Sequence, residues 1–170
     1  FVLLEHIDEM KHIVTFKNKK YILKQFGDDK NAFLDYVDQK KLLQMSGVKN
    51  PKVIRVDKKS RMVVEQLIEG ECIFDMLRNN YGLNDRIYEL IFEMNFRAKM
   101  ERLNLNFNPK NFIYTEDDFL YYMSSGFSKY DEEKSFVKKD IKIWFYTKDL
   151  VELLKNENLP YDINKLKQGY

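Results

Sequence analysis

The hydrophobic pattern of this chain changes period close to Ile68. Before that point apolar residues alternate over short runs, as on a half-buried strand; beyond Gly70 they recur every third or fourth residue, as on amphipathic helices. A chain ordered this way builds a sheet first and helices afterwards. It reads as an α+β fold, not as a repeated strand-helix unit.

Residues 1–7 (FVLLEHI), 12–17 (HIVTFK) and 20–26 (KYILKQF) are short and rich in β-branched and aromatic residues, with a polar turn between the last two. An antiparallel meander is expected, and the lysines at 17–20 are its solvated turn. Residues 31–46 lack Gly and Pro and place Phe33, Leu34, Val37, Leu42 and Met45 near helical spacing before Gly47. KVIRVD and RMVVEQLIEG follow as two strands about a polar KKS. The first section therefore reads strand, strand, strand, helix, strand, strand.

CIFDMLRNN then reads as a short helix. Residues 84–103 read as the clearest long one, capped by Asn84, with Ile87, Leu90, Ile91, Met94 and Ala98 on one stripe. Two short strands, NFIYT and FLYYM, and a loop through Ser135 lead into a helical stretch at 137–156.

Composition narrows the function classes. With 170 residues, 44% of them hydrophobic, the chain can build one sizeable core or two small lobes. Its 29 basic and 27 acidic residues leave a net charge of +2 without a long run of either sign, so no nucleic-acid surface is expected. A single cysteine, Cys72, excludes an internal disulfide and fits a reducing compartment. No apolar run reaches the ~20 residues of a membrane span, no signal peptide opens the sequence, and a cytoplasmic location is expected. The sequence begins at Phe1, not Met, as expected of a domain cut from a longer chain. His6 and His12 sit on expected strands without Cys or carboxylate at ligand spacing, so they read as structural histidines and no metal site is expected. The 13 Phe and 11 Tyr are mainly core material; Tyr121, Tyr122, Tyr130 and Trp144 are left open between core and contact surface.

The stretch NLNFNPKNFIY (104–114) carries the sharpest motif. It resembles the catalytic loop of the protein-kinase-like superfamily, His-x-Asp-x-x-Pro-x-Asn followed by a strand, with Pro109 and Asn111 kept and Asn104 and Asn106 in the His and Asp slots. YILKQF resembles that family's third strand, whose Lys (here Lys24) contacts nucleotide phosphates. MVVEQLIEGECIFDML resembles its fifth strand and hinge running into the next helix, and carries Glu65. The likeness is to compact members: RIO-like kinases, the small kinase of the KEOPS complex, and lipopolysaccharide or choline/aminoglycoside kinases. RLNLNFNPKNFIY also resembles the cytosolic pseudokinase domain of a type VII secretion subunit.

The resemblance implies a two-lobed domain, with a sheet lobe at 1–70 and a mainly helical lobe with a small hairpin at 71–170. It also implies a site whose working parts are missing. The helix acid that should hold Lys24 falls on Asp35, Asp38 or Gln39. The turn between the first strands, DEMK, has no glycine for close approach to phosphate, and its Asp8 and Glu9 would repel a triphosphate. Asn106 cannot accept a proton at neutral pH. The metal-binding Asp-Phe-Gly motif falls on Ser124, Ser125 and Gly126, and a neutral Ser is a poor Mg²⁺ ligand. Asp117 and Asp118 belong to the hairpin turn.

The expectation is therefore a catalytically inactive, pseudokinase-type binding or scaffolding module with a protein partner. No catalytic residue, metal or cofactor is expected, and Lys24, Asp38, Glu65 and Asn111 would line a vestigial nucleotide site. Two alternatives stay open. One is an atypical small kinase using ATP and Mg²⁺, with its acids supplied from elsewhere. The other is an unrelated α+β structural domain, in which Asn106 and Asn111 are plain turn residues and Lys24 faces solvent.

Overall fold

The amino-terminal sheet grows from a meander of β1 (Val2–His6), β2 (Lys11–Phe16) and β3 (Lys19–Gln25). Phe16 pairs with Lys19 across a turn whose Lys17 and Asn18 both have positive φ, 48° and 60°. This mirror-image turn matches the twist of the strands it joins; Asn18 accepts the conformation readily, and Lys17 is the strained member. The computed structural model describes residues 1–79, 83–145 and 148–157. The chain divides into two units, Phe1–Ile68 and Glu69–Tyr170.

In the first unit, α1 (Lys30–Met45) starts at Asp29, whose carboxylate accepts a hydrogen bond from the Ala32 N–H at 2.9 Å. β4 (Val53–Asp57) and β5 (Met62–Gln66) complete a five-stranded antiparallel sheet in the order β1-β2-β3-β5-β4. The strand and helix order read from the sequence is the one observed. β5 lies between β3 and β4, and its Val63, Val64 and Glu65 are buried. Ile22 pairs with Glu65 and Lys24 with Val63, which puts Lys24 and Glu65 on the same sheet face.

The buried stripe of α1 differs from the expected one. Leu34, Leu42 and Met45 are exposed, whereas Phe33, Lys40 and Leu43 are buried. A search for apolar spacing passes over Lys40, whose ammonium finds polar partners inside the unit.

The second unit begins with β6 (Glu71–Cys72) and α2 (Ile73–Arg78), followed by α3 (Asp85–Met100). Asn84 caps α3 by accepting from the Ile87 N–H at 2.9 Å, and Ile87, Ile91, Met94 and Ala98 are buried. β8 (Phe112–Tyr114) and β9 (Leu120–Tyr122) form the small hairpin, and β6 adds to β8. Asp117 and Asp118 lie in its turn, where they accept hydrogen bonds from the hydroxyls of Thr115 and Tyr114. A separate pair, β7 (Leu103–Leu105) with β10 (Phe127–Lys129), joins the start of the motif loop to a stretch expected to be only loop.

Residues 137–156 were expected as one helix and are not. The described part is a π-helical turn at Phe136–Asp140, a 3-10 turn at Ile141–Trp144 and α4 (Lys148–Asn156); residues 146 and 147 lie outside the described residues. Trp144 explains the break. It is fully buried, its ring lies against Phe112 and Phe136, and its indole N–H donates to the Phe107 carbonyl at 2.7 Å. Tertiary packing overrides helical periodicity there. Tyr122 is also fully buried, so it and Trp144 belong to the core.

Gly70 packs against β8. A Cβ there would lie 2.4 Å from the Tyr114 carbonyl oxygen and 2.7 Å from Ile113 Cγ2. Backbone cannot yield as a flexible side chain can, so Gly70→Ala should destabilise the protein by about 2 kcal/mol or more. Chemical denaturation of the two proteins measures this, and unchanged stability would mean that β8 does not lie against Gly70.

Candidate functional site

Lys24 on β3 reaches a buried carboxylate that comes from the sheet. Its Nζ lies 3.2 Å from Glu65 Oε2 and 2.5 Å from the Tyr36 hydroxyl, and sits over the Tyr36 ring, 4.5 Å from its centroid. The Tyr36 hydroxyl in turn donates to Glu65 Oε1. Lys40, one turn further along α1, approaches the same oxygen at 3.7 Å and donates to Asn50 Oδ1 at 2.9 Å and the Pro51 carbonyl at 2.8 Å. Two ammoniums thus share one carboxylate.

Burial sets the electrostatics of this cluster. Desolvation pushes the Lys24 ammonium below its ordinary pKa against the opposing pull of Glu65. Lys40 is pushed from 10.5 to about 8 for the same reason, again opposed by Glu65. Burial also raises the Tyr36 hydroxyl, and the neighbouring Glu65 charge raises it further.

The expected partners of Lys24 need correction. Asp35 and Asp38 are exposed on α1, and among the described residues the ion pair of Lys24 is made with Glu65. The helix presents Tyr36 and Lys40, an i,i+4 pair, to the sheet; Asp35 and Asp38 lie off that stripe. Asp38 therefore takes no part in the cluster, and the acid that holds Lys24 is one strand away.

The turn between β1 and β2 is already occupied by an anion. The Asp8 carboxylate accepts from the Met10 N–H at 2.8 Å and the Lys11 N–H at 2.7 Å. These bonds, Met10's foremost, hold its carboxyl below the usual range. Amides of this kind are the groups that a phosphate-binding turn offers to its ligand.

In the second unit, the loop after β7 is held together by its own asparagines. Asn104 Nδ2 donates to the Asp131 carbonyl at 2.9 Å, and Asn111 Nδ2 to the Asn106 carbonyl at 3.1 Å. Asn106 Oδ1 accepts from the Asn108 N–H and Asn108 Oδ1 from the Lys110 N–H, at 3.1 and 3.0 Å. Each amide brackets backbone, as Asn does in turns.

Tyr122 ties this loop to the Ser124–Gly126 segment. Its buried hydroxyl accepts from the Asn106 N–H at 3.1 Å and donates to the Gly126 carbonyl at 2.5 Å, and it also shares a hydrogen bond with the Ser124 side chain. Ser124 Oγ accepts from the Gly126 N–H at 3.1 Å. Asn106, Asn111 and Ser124 thus meet around one tyrosine, and Asn111 is joined to the end of β9 through the Met123 N–H.

Sequence reasoning missed Tyr36, Lys40, Tyr122 and Asp140. Asp140 is buried, burial raises its carboxyl, and the Phe107 backbone N–H donates to it. It thereby holds the middle of the asparagine loop from a distant stretch of sequence. The available signal was the i,i+4 spacing of Tyr36 and Lys40 and of Asp140 and Trp144.

No protein-family model matches the chain, and no curated protein matches it in sequence. Solved structures do match in shape. A co-crystal structure of WbdD with a kinase inhibitor aligns with a TM-score of 0.60 at 10% identity, over 96% of this chain and 43% of that one. The yeast RNA Pol II CTD kinase complex aligns with a TM-score of 0.56 at 12% identity, over 77% and 47%. The chain spans less than half the length of either. These likenesses are of the fold, and the fold is protein-kinase-like.

Removing the shared carboxylate should be severe. Glu65→Gln leaves two buried ammoniums without a counter-charge and should cost about 3 kcal/mol, against about 0.5 kcal/mol or less for the exposed Asp38→Asn. Denaturant titration of both variants measures the contrast, and equal effects would refute the assignment of Glu65. A second prediction concerns pH. Lys40 holds its proton less tightly folded (about 8) than at its ordinary 10.5, so between those values the unfolded chain binds more protons and the contribution of Lys40 to stability rises with pH. Lys40→Met should lose that rise. Unfolding free energies of both proteins at about pH 7 and about pH 10 measure it, and parallel profiles would contradict the shift.

Proposed function

We propose that this chain is a catalytically silent kinase-like domain that acts as a binding or scaffolding module for a protein partner, with Phe1–Ile68 and Glu69–Tyr170 as its two lobes. The observation that carries the reading is the loop at 104–111. Its asparagines offer no carboxylate; Asn104 and Asn111 donate their amides to backbone carbonyls, and Asn106 and Asn108 accept from backbone N–H groups. Phosphoryl transfer relies almost wholly on positioning and charge: a residue that orients the attacking hydroxyl, a held Mg²⁺ and a phosphate cradle. Asn106 supplies no proton acceptor, Ser124 no metal carboxylate, and the Asp8 carboxylate occupies the amides of the first turn.

The scaffolding half of the reading is supported by α3. Phe92, Phe96 and Met100 follow one another at i,i+4 spacing and are exposed by 41, 62 and 67%. Exposed apolar rows of this kind mark protein contacts more often than catalysis. The alternative, an ATP-dependent phosphotransferase, draws on one observation: Lys24 is ion-paired on the third strand, as a phosphate-contacting lysine would be.

Purified protein incubated with labelled ATP and Mg²⁺ or Mn²⁺ should transfer no phosphate to itself, to generic protein substrates or to small alcohols above the control without enzyme. Robust transfer abolished by Lys24→Ala would overturn the proposal in favour of the phosphotransferase. The paired change Asn106→Asp with Ser124→Asp tests the alignment of the two slots, and a gain in Mg²⁺-dependent nucleotide binding is the outcome that supports it.

A further inference from the structure

We propose that His6 and His12 form a metal site that takes one divalent late first-row transition ion through both Nδ1 atoms. The two residues are direct partners across β1 and β2, the last pair before the turn. Their rings stand at 89° to one another with centroids 4.6 Å apart, and their Nδ1 atoms lie 2.8 Å apart. Two nitrogens each ~2.1 Å from one ion, at ~90° to each other, lie ~3 Å apart. The separation admits neighbouring ligands on a square or octahedral ion once the proton shared by the two Nδ1 atoms has moved to the Nε2 of its ring. Imidazole pairs suit Cu²⁺, Ni²⁺ and Zn²⁺, with Cu²⁺ held most tightly.

The surroundings are built for it. The hairpin end that carries both rings is closed by the Ile7 and Asp8 N–H groups, which donate to the Lys11 carbonyl at 2.9 and 3.1 Å, and by the Asp8 cap. His12 is buried and His6 exposed, so one ligand is pinned and the other opens to solvent. Both line an open groove of about 640 Å³ with an apolar floor that includes Leu3 and Val14. Asp8 and Glu9 line the same groove, and Lys11 and Lys24 lie close enough to act on Asp8. Among the described residues no third His, Cys, Asp or Glu completes a closed set of ligands. Water would fill the remaining positions. Such a bridge would also fasten β1, an edge strand, to β2.

The chain contains only these two histidines, which makes the test specific. Tag-free protein is titrated with Cu²⁺ against a weak competing chelator at neutral pH, and the Cu²⁺ complex is examined by electron paramagnetic resonance. One ion per chain is expected, with hyperfine coupling to two imidazole nitrogens that is unchanged on dilution. His6→Ala, at the exposed position, should weaken binding about 100-fold and remove one nitrogen from the spectrum. A rise in melting temperature with Cu²⁺ in the wild-type protein but not in His6→Ala supports the same site. Binding that survives His6→Ala, an oxygen-only spectrum, or an affinity no better than that of free imidazole would overturn the proposal and leave the pair as a neutral N–H···N hydrogen bond.

Discussion

The buried carboxylate of Glu65 is the charge around which the amino-terminal unit is organised. It sits on a central strand, and an anion there is costly unless its oxygens are satisfied. Lys24, Lys40 and the Tyr36 hydroxyl satisfy them, and in doing so they fix α1 against β3 and β5. Lys40 is committed in turn to Asn50 and Pro51, so the segment between α1 and β4 is drawn into the same network. Packing in this unit therefore depends on electrostatics: the helix has few buried apolar residues, and a lysine holds a core position.

The same economy recurs in the first turn and in the asparagine loop. The amides of the first turn go to Asp8, the asparagine loop brackets its own backbone, and the Tyr122 hydroxyl joins that loop to the Ser124 segment. Asp140 and Trp144 hold Phe107 through its N–H and its carbonyl. Each of these groups has a partner within the chain. That is a sound arrangement for stability, because buried polar atoms without partners are expensive.

Much of this was legible in the sequence. The change of hydrophobic period near Ile68 located the passage from strands to helices, and the spacing of Asn104, Asn106, Pro109 and Asn111 marked the loop. The partner of Lys24 was not legible, because it depends on strand order: Glu65 lies two positions along β5 from the residue opposite Lys24, and only a sheet in which β5 neighbours β3 brings them together. Lys40 was hidden for a related reason, since its character as a core residue comes from its tertiary partners. The break at 141–145 escaped because the pull of Phe107 on Trp144 is long-range, and β7 with β10 escaped because strands of three residues leave too little pattern.

The polar groups of the first turn and of the asparagine loop are engaged within the chain. Thermal unfolding with and without Mg²⁺ and ATP at millimolar concentration tests it most directly, because a ligand that binds only the native state must raise the melting temperature. No shift is expected for the wild-type protein or for Lys24→Ala. A saturable rise in the wild-type protein that Lys24→Ala removes would contradict it.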